Sequence, residues 1–301
     1  MQTAIISALN VAICQIIPPM TEPDSLRTLL VDAHIEVMPL SGIEDEIRHL
    51  APGSTVTVTC SPSKGVESTL KMAEWLSGEG FNAVPHLAAR QISNKQQLKE
   101  TLIRLKDAGV NSIFVPGGDV NPPAGDFDSA LQLLQAMSEL DHDMERIGVA
   151  AYPEGHPFID DAALINALRD KQLFATSCVT QMCFHPEAIT DWIKSIRDSG
   201  IDLPVRVGMP GAVERKKLFA FSMRIGVGDS ARALMKQSNV VRKLMAAKAY
   251  QPDEIVSHLA NFVDDTEMSI AGLHLYTFNQ VKATNEWRES FLRQASEGSC
   301  A

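Results

Sequence analysis

Polar side chains able to bind or react recur at the ends of short apolar runs in this 301-residue chain. Glu36 stands within His34-Ile-Glu-Val-Met-Pro39. Thr59 and Cys60 close a second run, and His86 lies in Val84-Pro-His-Leu-Ala-Ala-Arg90. Then come Gly117-Gly-Asp119, Tyr152-Pro-Glu-Gly-His156, Thr180-Gln181, and His274 with Tyr276 and Asn279. Each has a structural reading. Glu36 could pair with an arginine, His86 could be a hydrogen-bonded core residue, Gly117–Asp119 a turn and Asn279 a helix cap. Buried polar groups need partners, however, and many of them converging on one place imply a mouth filled by water or ligand. Other chemistries are excluded: there is no G-x-x-x-x-G-K-[ST] phosphate loop, no G-x-S-x-G elbow and no H-E-x-x-H helix. Gly226-Val-Gly228 lacks the third glycine and the preceding strand of a dinucleotide fingerprint, and reads as a loop between helices.

The elements that must position these residues alternate. Eight β-rich runs read as strands: His34–Met38, Thr55–Cys60, Ala83–Ala88, Ser112–Pro116, Ile147–Tyr152, Ala175–Met182, Val205–Met209 and Gly272–Thr277. Helical spacing fills the intervals. Ser63–Ser77 places Val66, Leu70, Ala73 and Leu76 on one stripe, and Asn94–Lys106 does the same with Leu98, Leu102 and Leu105. Asp126–Leu140 and Pro186–Asp198 read likewise, the latter stopped at Gly200, and 213–262 reads as extra helices before the last strand. Eight strands alternating with helices favour a closed (β/α)8 TIM barrel over an open doubly wound sheet. One domain over residues 1–301 is expected, with 1–32 packed on the barrel as an N-terminal segment.

Composition bounds the partners. The net charge is −10, from 27 basic and 37 acidic residues. That balance argues against nucleic acid, whose affinity rests on Lys and Arg contacts to phosphate. The five cysteines form no C-x-x-C pair, which favours reduced thiols, a cytoplasmic setting and no metal site. Residues 1–20 carry no charge, yet they lack a basic start and are broken by Gln2, Asn10, Gln15 and Pro18-Pro19. They read as a packed element rather than a signal peptide or membrane span.

At its strand ends the chain resembles the methylenetetrahydrofolate reductase family. Ala150-Ala-Tyr-Pro-Glu-Gly-His-Pro157 carries the strongest likeness. Pro85-His-Leu87, Gly118-Asp119, Thr180-Gln181 and Leu275-Tyr-Thr-Phe-Asn279 follow the family's order. The resemblance implies a barrel with FAD in its mouth. Hydride would pass from NADH or NADPH through the flavin to 5,10-methylenetetrahydrofolate, giving 5-methyltetrahydrofolate. It also implies roles. Glu36 matches the acid that protonates the folate N10 so that a 5-iminium cation can form, its own proton retained through burial. Gln15-Ile-Ile-Pro-Pro19 also resembles the family's first strand, but Glu36 is preferred because its strand-like run leads directly to the next strand. Asp119 matches an aspartate between flavin and pterin. Thr59, His86, Gly118 and Tyr152 match flavin-lining positions, and His156 and Lys171 match positions near the diphosphate. Gln181 matches a contact to folate and nicotinamide, and Tyr276 falls on the substrate side.

Three positions depart from the family pattern. Gly117 stands where an arginine is usual, Met182-Cys-Phe184 replaces an aromatic run, and Glu36-Val-Met-Pro39 loosens Glu-Phe-Phe-Pro-Pro. Divergent members of the family pass hydride directly from nicotinamide to folate, and these departures resemble that branch. Two further alternatives are folate-dependent methyl transfer and a barrel that only binds a pterin.

Overall fold

All eight expected strands form, and all of them pair in parallel. A computed structural model of the protein describes residues 22–218 and 249–298. The order is α1 (Glu22–Val31), β1 (His34–Val37), α2 (Ile43–Ile47), β2 (Thr55–Val58), α3 (Gly65–Gly78), β3 (Asn82–Pro85), α4 (Lys95–Asp107), β4 (Ser112–Val115) and α5 (Ala130–Ser138). It continues with β5 (Arg146–Ala151), α6 (Asp161–Lys171), β6 (Ser177–Thr180), α7 (Pro186–Asp198), β7 (Val205–Pro210) and β8 (Val213–Glu214). Last come β9 (Ala249–Tyr250), α8 (Asp253–Ala260), β10 (Ile270–Tyr276) and α9 (Val281–Gly298).

The large sheet runs β3-β2-β1-β10-β7-β6-β5-β4. A parallel bridge between His86 and Phe114 joins its two ends. That contact closes a (β/α)8 barrel and excludes an open sheet. Strand period two then divides the side chains. Ile35 and Val37 are buried in the apolar layer beneath the helices, so His34 and Glu36 face the barrel axis. One apolar cluster runs from Leu26 to Trp287. Helix α1 joins it through Leu26, Leu29 and Leu30, packing against α8, α9 and β10.

Caps explain where several helices begin. The Asn94 side chain accepts from Gln97 N–H at 2.9 Å and Asp160 from Ala163 N–H at 3.0 Å, each cap stabilising its helix by about 1 kcal/mol. Helix α5 starts at Ala130 rather than at the expected Asp126, because Ser129 takes the cap position and accepts from Gln132 N–H. The segment before the last strand is also not wholly helical: Val213–Glu214 pairs antiparallel with Ala249–Tyr250. Residues 1–21, with the Gln15 alternative, and Gly226–Gly228 lie outside the described residues. No helix among the described residues is long and apolar enough to cross a membrane.

The N-terminal end of the barrel is plugged by polar side chains. Arg206 donates to the carbonyls of Asp32 and Leu273 at 3.1 and 3.3 Å. Gly272 on the neighbouring strand makes room for it, since a Cβ there would come within 2.7 Å of Arg206 Nη1. At the opposite end, β6, β7 and β10 are locked by one motif. Thr180 Oγ1 accepts Gly208 N–H at 2.8 Å, and Tyr276 donates its hydroxyl to the Thr180 carbonyl at 3.0 Å. A Cβ on Gly208 would collide with that carbonyl and lie 2.9 Å from Tyr276 Cε2. Gly208→Ala is therefore expected to cost about 1–3 kcal/mol, read as a lower urea midpoint with an unchanged m-value.

Candidate functional site

Parallel register brings the chemistry of the two chain ends together. β1 pairs with β10 so that Glu36 lies beside Tyr276 and His34 beside His274. Glu36 Oε2 is 3.0 Å from His274 Nε2 and 3.8 Å from His86 Nε2. The two imidazoles are buried, and the Glu36 side chain is 16% exposed. Behind this cluster, Thr277 Oγ1 donates to the Glu36 carbonyl at 2.6 Å. The Asn279 amide clamps Met38, accepting its N–H at 2.8 Å and donating to its carbonyl at 3.0 Å. Asn279 therefore fixes the β1 end rather than capping α9 through its side chain. Its own backbone is left-handed, with φ 61°.

Burial sets the protonation of His86. It draws the imidazole down to about 4, against the opposing pull of the Glu36 charge and with help from His274. His86 is thus neutral at pH 7, and its Nε2 has no hydrogen-bond partner. Its ring packs on Phe114 at a centroid distance of 4.6 Å, across the strand pair that closes the barrel. Tyr276 stacks against His274 at 4.8 Å. Burial, and then the charges of Glu36, Cys183 and Tyr152, push its phenol far above the usual range. Tyr276 is accordingly a neutral donor already committed to Thr180, and its ring is what it offers the mouth.

The remaining expected residues surround this cluster at different depths. Thr59 follows β2, with its Oγ1 buried and unpartnered, as is that of Thr57 two residues earlier. Ala89 and Arg90 donate backbone N–H groups to Pro116 and Gly117 at 3.0 and 2.9 Å. Gly118 has φ 90°, and a Cβ there would sit 3.0 Å from Ala88 Cβ, so the loops after β3 and β4 are packed face to face. Asp119 leaves this turn exposed to solvent. Tyr152 is raised by burial and then by the Asp119 charge, which places the two side chains on one side of the mouth. His156 meets Tyr152 edge-on at 5.2 Å and Phe158 at 5.9 Å, at the outer rim. The Gln181 Oε1 accepts Met182 N–H at 2.9 Å, so its amide nitrogen is the end able to donate to a ligand. Lys171 stands apart from the cluster. Its ammonium is buried on α6 and donates to the Ala150 carbonyl at 3.0 Å, and burial lowers it to about 8.

His274 is the partner that a strand-by-strand reading leaves without a role. The signal was present in period two, since His274 and Tyr276 must share a face, but the carboxylate they meet is 238 residues away. Among the described residues, no group of three or more His, Cys, Asp or Glu side chains is placed to hold a metal ion.

Comparisons with known proteins converge on one family. The family profile described as methylenetetrahydrofolate reductase matches residues 43–290. A curated relative, "Probable methylenetetrahydrofolate reductase (NADPH)" of Caenorhabditis elegans, is 24% identical over 238 residues, covering 74% of this chain and 34% of that protein. The chain thus spans about a third of that relative's length.

The buried histidine has a consequence for stability. His86 titrates near 4 when folded and near 6.5 when unfolded. The unfolded state therefore takes up the proton first, and stability falls as pH drops through this window. Between pH 7 and 4.5 the effect amounts to roughly 2–3 kcal/mol. His86→Leu should flatten the fall in unfolding free energy by that amount, and curves that stay parallel would contradict a neutral His86.

Proposed function

The chain belongs to the methylenetetrahydrofolate reductase family, and on that premise we propose that its barrel reduces 5,10-methylenetetrahydrofolate to 5-methyltetrahydrofolate. NADH or NADPH supplies the hydride; the nematode relative is named for NADPH, which makes it the first donor to try. The observation that carries this reading is the hydrogen bond between Glu36 and buried His274 at the barrel mouth. Glu36 precedes the matched stretch of 43–290, so its role rests on its position in β1 and on its contacts.

The reaction needs one proton and one hydride. Opening the five-membered ring of the substrate breaks the bond from the bridging carbon to N10, and a proton must reach N10 as that bond breaks. The carbon, left as an iminium on N5, then accepts the hydride. Glu36 delivers the proton. The carboxyl lies at hydrogen-bond distance, 3.0 Å, from His274 Nε2, which orients it. Neutral His86, 3.8 Å away, fills the other side of the carboxyl without adding positive charge. Asp119, open to solvent on the Tyr152 side, accepts a hydrogen bond from the pterin and stabilises the cation electrostatically. Gln181 donates to folate or nicotinamide in turn, while the Tyr276 ring bounds the substrate.

The residues present fit FAD. Thr57 Oγ1, Thr59 Oγ1 and His86 Nε2 are buried without partners along β2 and β3, and a flavin's polar edge would satisfy such groups. Thr59, His86, Gly118 and Tyr152 would hold the ring, with His156 and Lys171 towards the diphosphate. When bound, the flavin supplies a two-electron carrier between nicotinamide and folate. Direct hydride transfer is the second reading, favoured by Gly117, which offers no side chain, and by Met182 and Cys183, buried where an aromatic run would otherwise stand.

The absorbance spectrum of the purified protein, followed by anaerobic NADH, separates the two readings. A flavin spectrum that survives desalting and bleaches supports FAD; colourless protein that still oxidises NADH or NADPH with methylenetetrahydrofolate supports direct transfer. Protein that binds folate but oxidises neither nucleotide sinks the reductase reading. Glu36→Gln should lower turnover by about 10²–10⁴-fold while folate affinity stays within about threefold. Unchanged turnover would move the acid elsewhere.

A further inference from the structure

Arg90 stands in the turn that follows β3, with its backbone anchored and one guanidinium nitrogen buried without a partner. Its backbone is tied on both sides: its N–H donates to the Gly117 carbonyl at 2.9 Å, and its carbonyl accepts Ala124 N–H at 2.9 Å. The next residue, Gln91, reaches the Cys60 carbonyl at the end of β2 at 3.1 Å. Arg90 is therefore fixed where the ends of β2, β3 and β4 meet. Its Nε is nevertheless buried and has no hydrogen-bond partner.

Other buried arginines among the described residues show the contrast. Arg104, Arg169, Arg197, Arg206 and Arg288 are also wholly or partly buried. Each of them donates to a carboxylate, a carbonyl or an amide oxygen. An unsatisfied charged donor is costly to bury, so a fold that anchors one firmly leaves an acceptor to be supplied from outside. Gly117, whose carbonyl holds the Arg90 N–H, adds no side chain to this loop, and a Cβ built on it would meet nothing within 4 Å.

We propose that Arg90 is an oxyanion-binding residue, its guanidinium taking a phosphate or carboxylate oxygen of the ligand held in the barrel mouth. The planar fork of arginine suits both groups, and its Nε–H and an Nη–H can engage two oxygens of one anion. The inference rests on the reductase reading for the identity of its ligands, which offer that chemistry from two sources. One is the diphosphate of a dinucleotide, and the other is the glutamate tail of the folate.

Titration calorimetry on wild type, Arg90→Met and Arg90→Lys, with FAD, NADPH and 5-methyltetrahydrofolate as separate probes, tests it. Melting curves run beside it establish that each variant is folded. Nothing in the described structure bonds to the Nε, so Arg90→Met is expected to melt no lower than wild type. It should weaken one probe class by about 10- to 100-fold, with a shallower salt dependence. Arg90→Lys should recover part of the loss, since charge remains but the fork is gone. Loss confined to FAD or NADPH assigns the diphosphate; loss confined to 5-methyltetrahydrofolate assigns the carboxylate. If wild type binds the probes and both variants bind them within about twofold, the inference fails while the reductase reading stands. If wild type binds none of the three, both fail together.

Discussion

The carboxylate of Glu36 against the imidazole of His274 is the contact around which the rest of the mouth is arranged. It spans the seam between the first and last strands of the barrel, 3.0 Å across. A polar pair in that position holds only if the seam cannot slip. A shift of one residue would turn Glu36 towards the helices and Ile35 towards the axis. Several bonds oppose that shift. Thr277 and Asn279, just after β10, bond to the backbone of Glu36 and Met38, and Lys282 N–H donates to Glu46 beyond β1 at 3.0 Å. The apolar layer outside the strands holds the same register, because Ile35 and Leu275 are fully buried in it.

Much of this was legible in the residues. Each β-rich run became a strand within a few positions of its expected ends, because β-branched and apolar residues at period two suit a buried parallel sheet. The helix read at Pro186–Asp198 formed over those same residues, with Pro186 at its start and Gly200, φ 74°, just past its end. Helix α5 was misplaced by four residues because Asp126, Asp128 and Ser129 are all plausible caps, and only packing selects Ser129. The β8–β9 ribbon was illegible for a different reason. Two residues on each strand carry no periodicity, and their pairing joins positions 213 and 250.

The candidate site was legible as a set but not as a geometry. Strand ends named Glu36, His86, Asp119, Tyr152 and Tyr276; the structure brings the first, second and last of these together and sets Tyr152 near Asp119. What they could not convey is which polar atoms remain to be satisfied once the barrel closes. Tyr276 is placed on the substrate side by its strand end, yet its hydroxyl already serves Thr180. Lys171 looks like a free cation, yet it already serves Ala150. Arg90 closes the run that holds His86, and nothing in its sequence context signals that its Nε is buried without a partner.

The distribution of satisfied and unsatisfied groups gives the mouth a direction. On the β5, β6 and β7 side, Lys171, Thr180 and Gly208 all have partners within the protein. On the opposite wall, from β10 through β3, Thr57 Oγ1, Thr59 Oγ1, His86 Nε2 and His274 Nδ1 are buried without hydrogen-bond partners. Native proteins leave few buried polar atoms without partners. On the reductase reading, the polar edge of a ligand would satisfy these atoms. Glu36 stands on β1, between the strands that carry these atoms, so a ligand that satisfied them would also come to rest against its carboxyl.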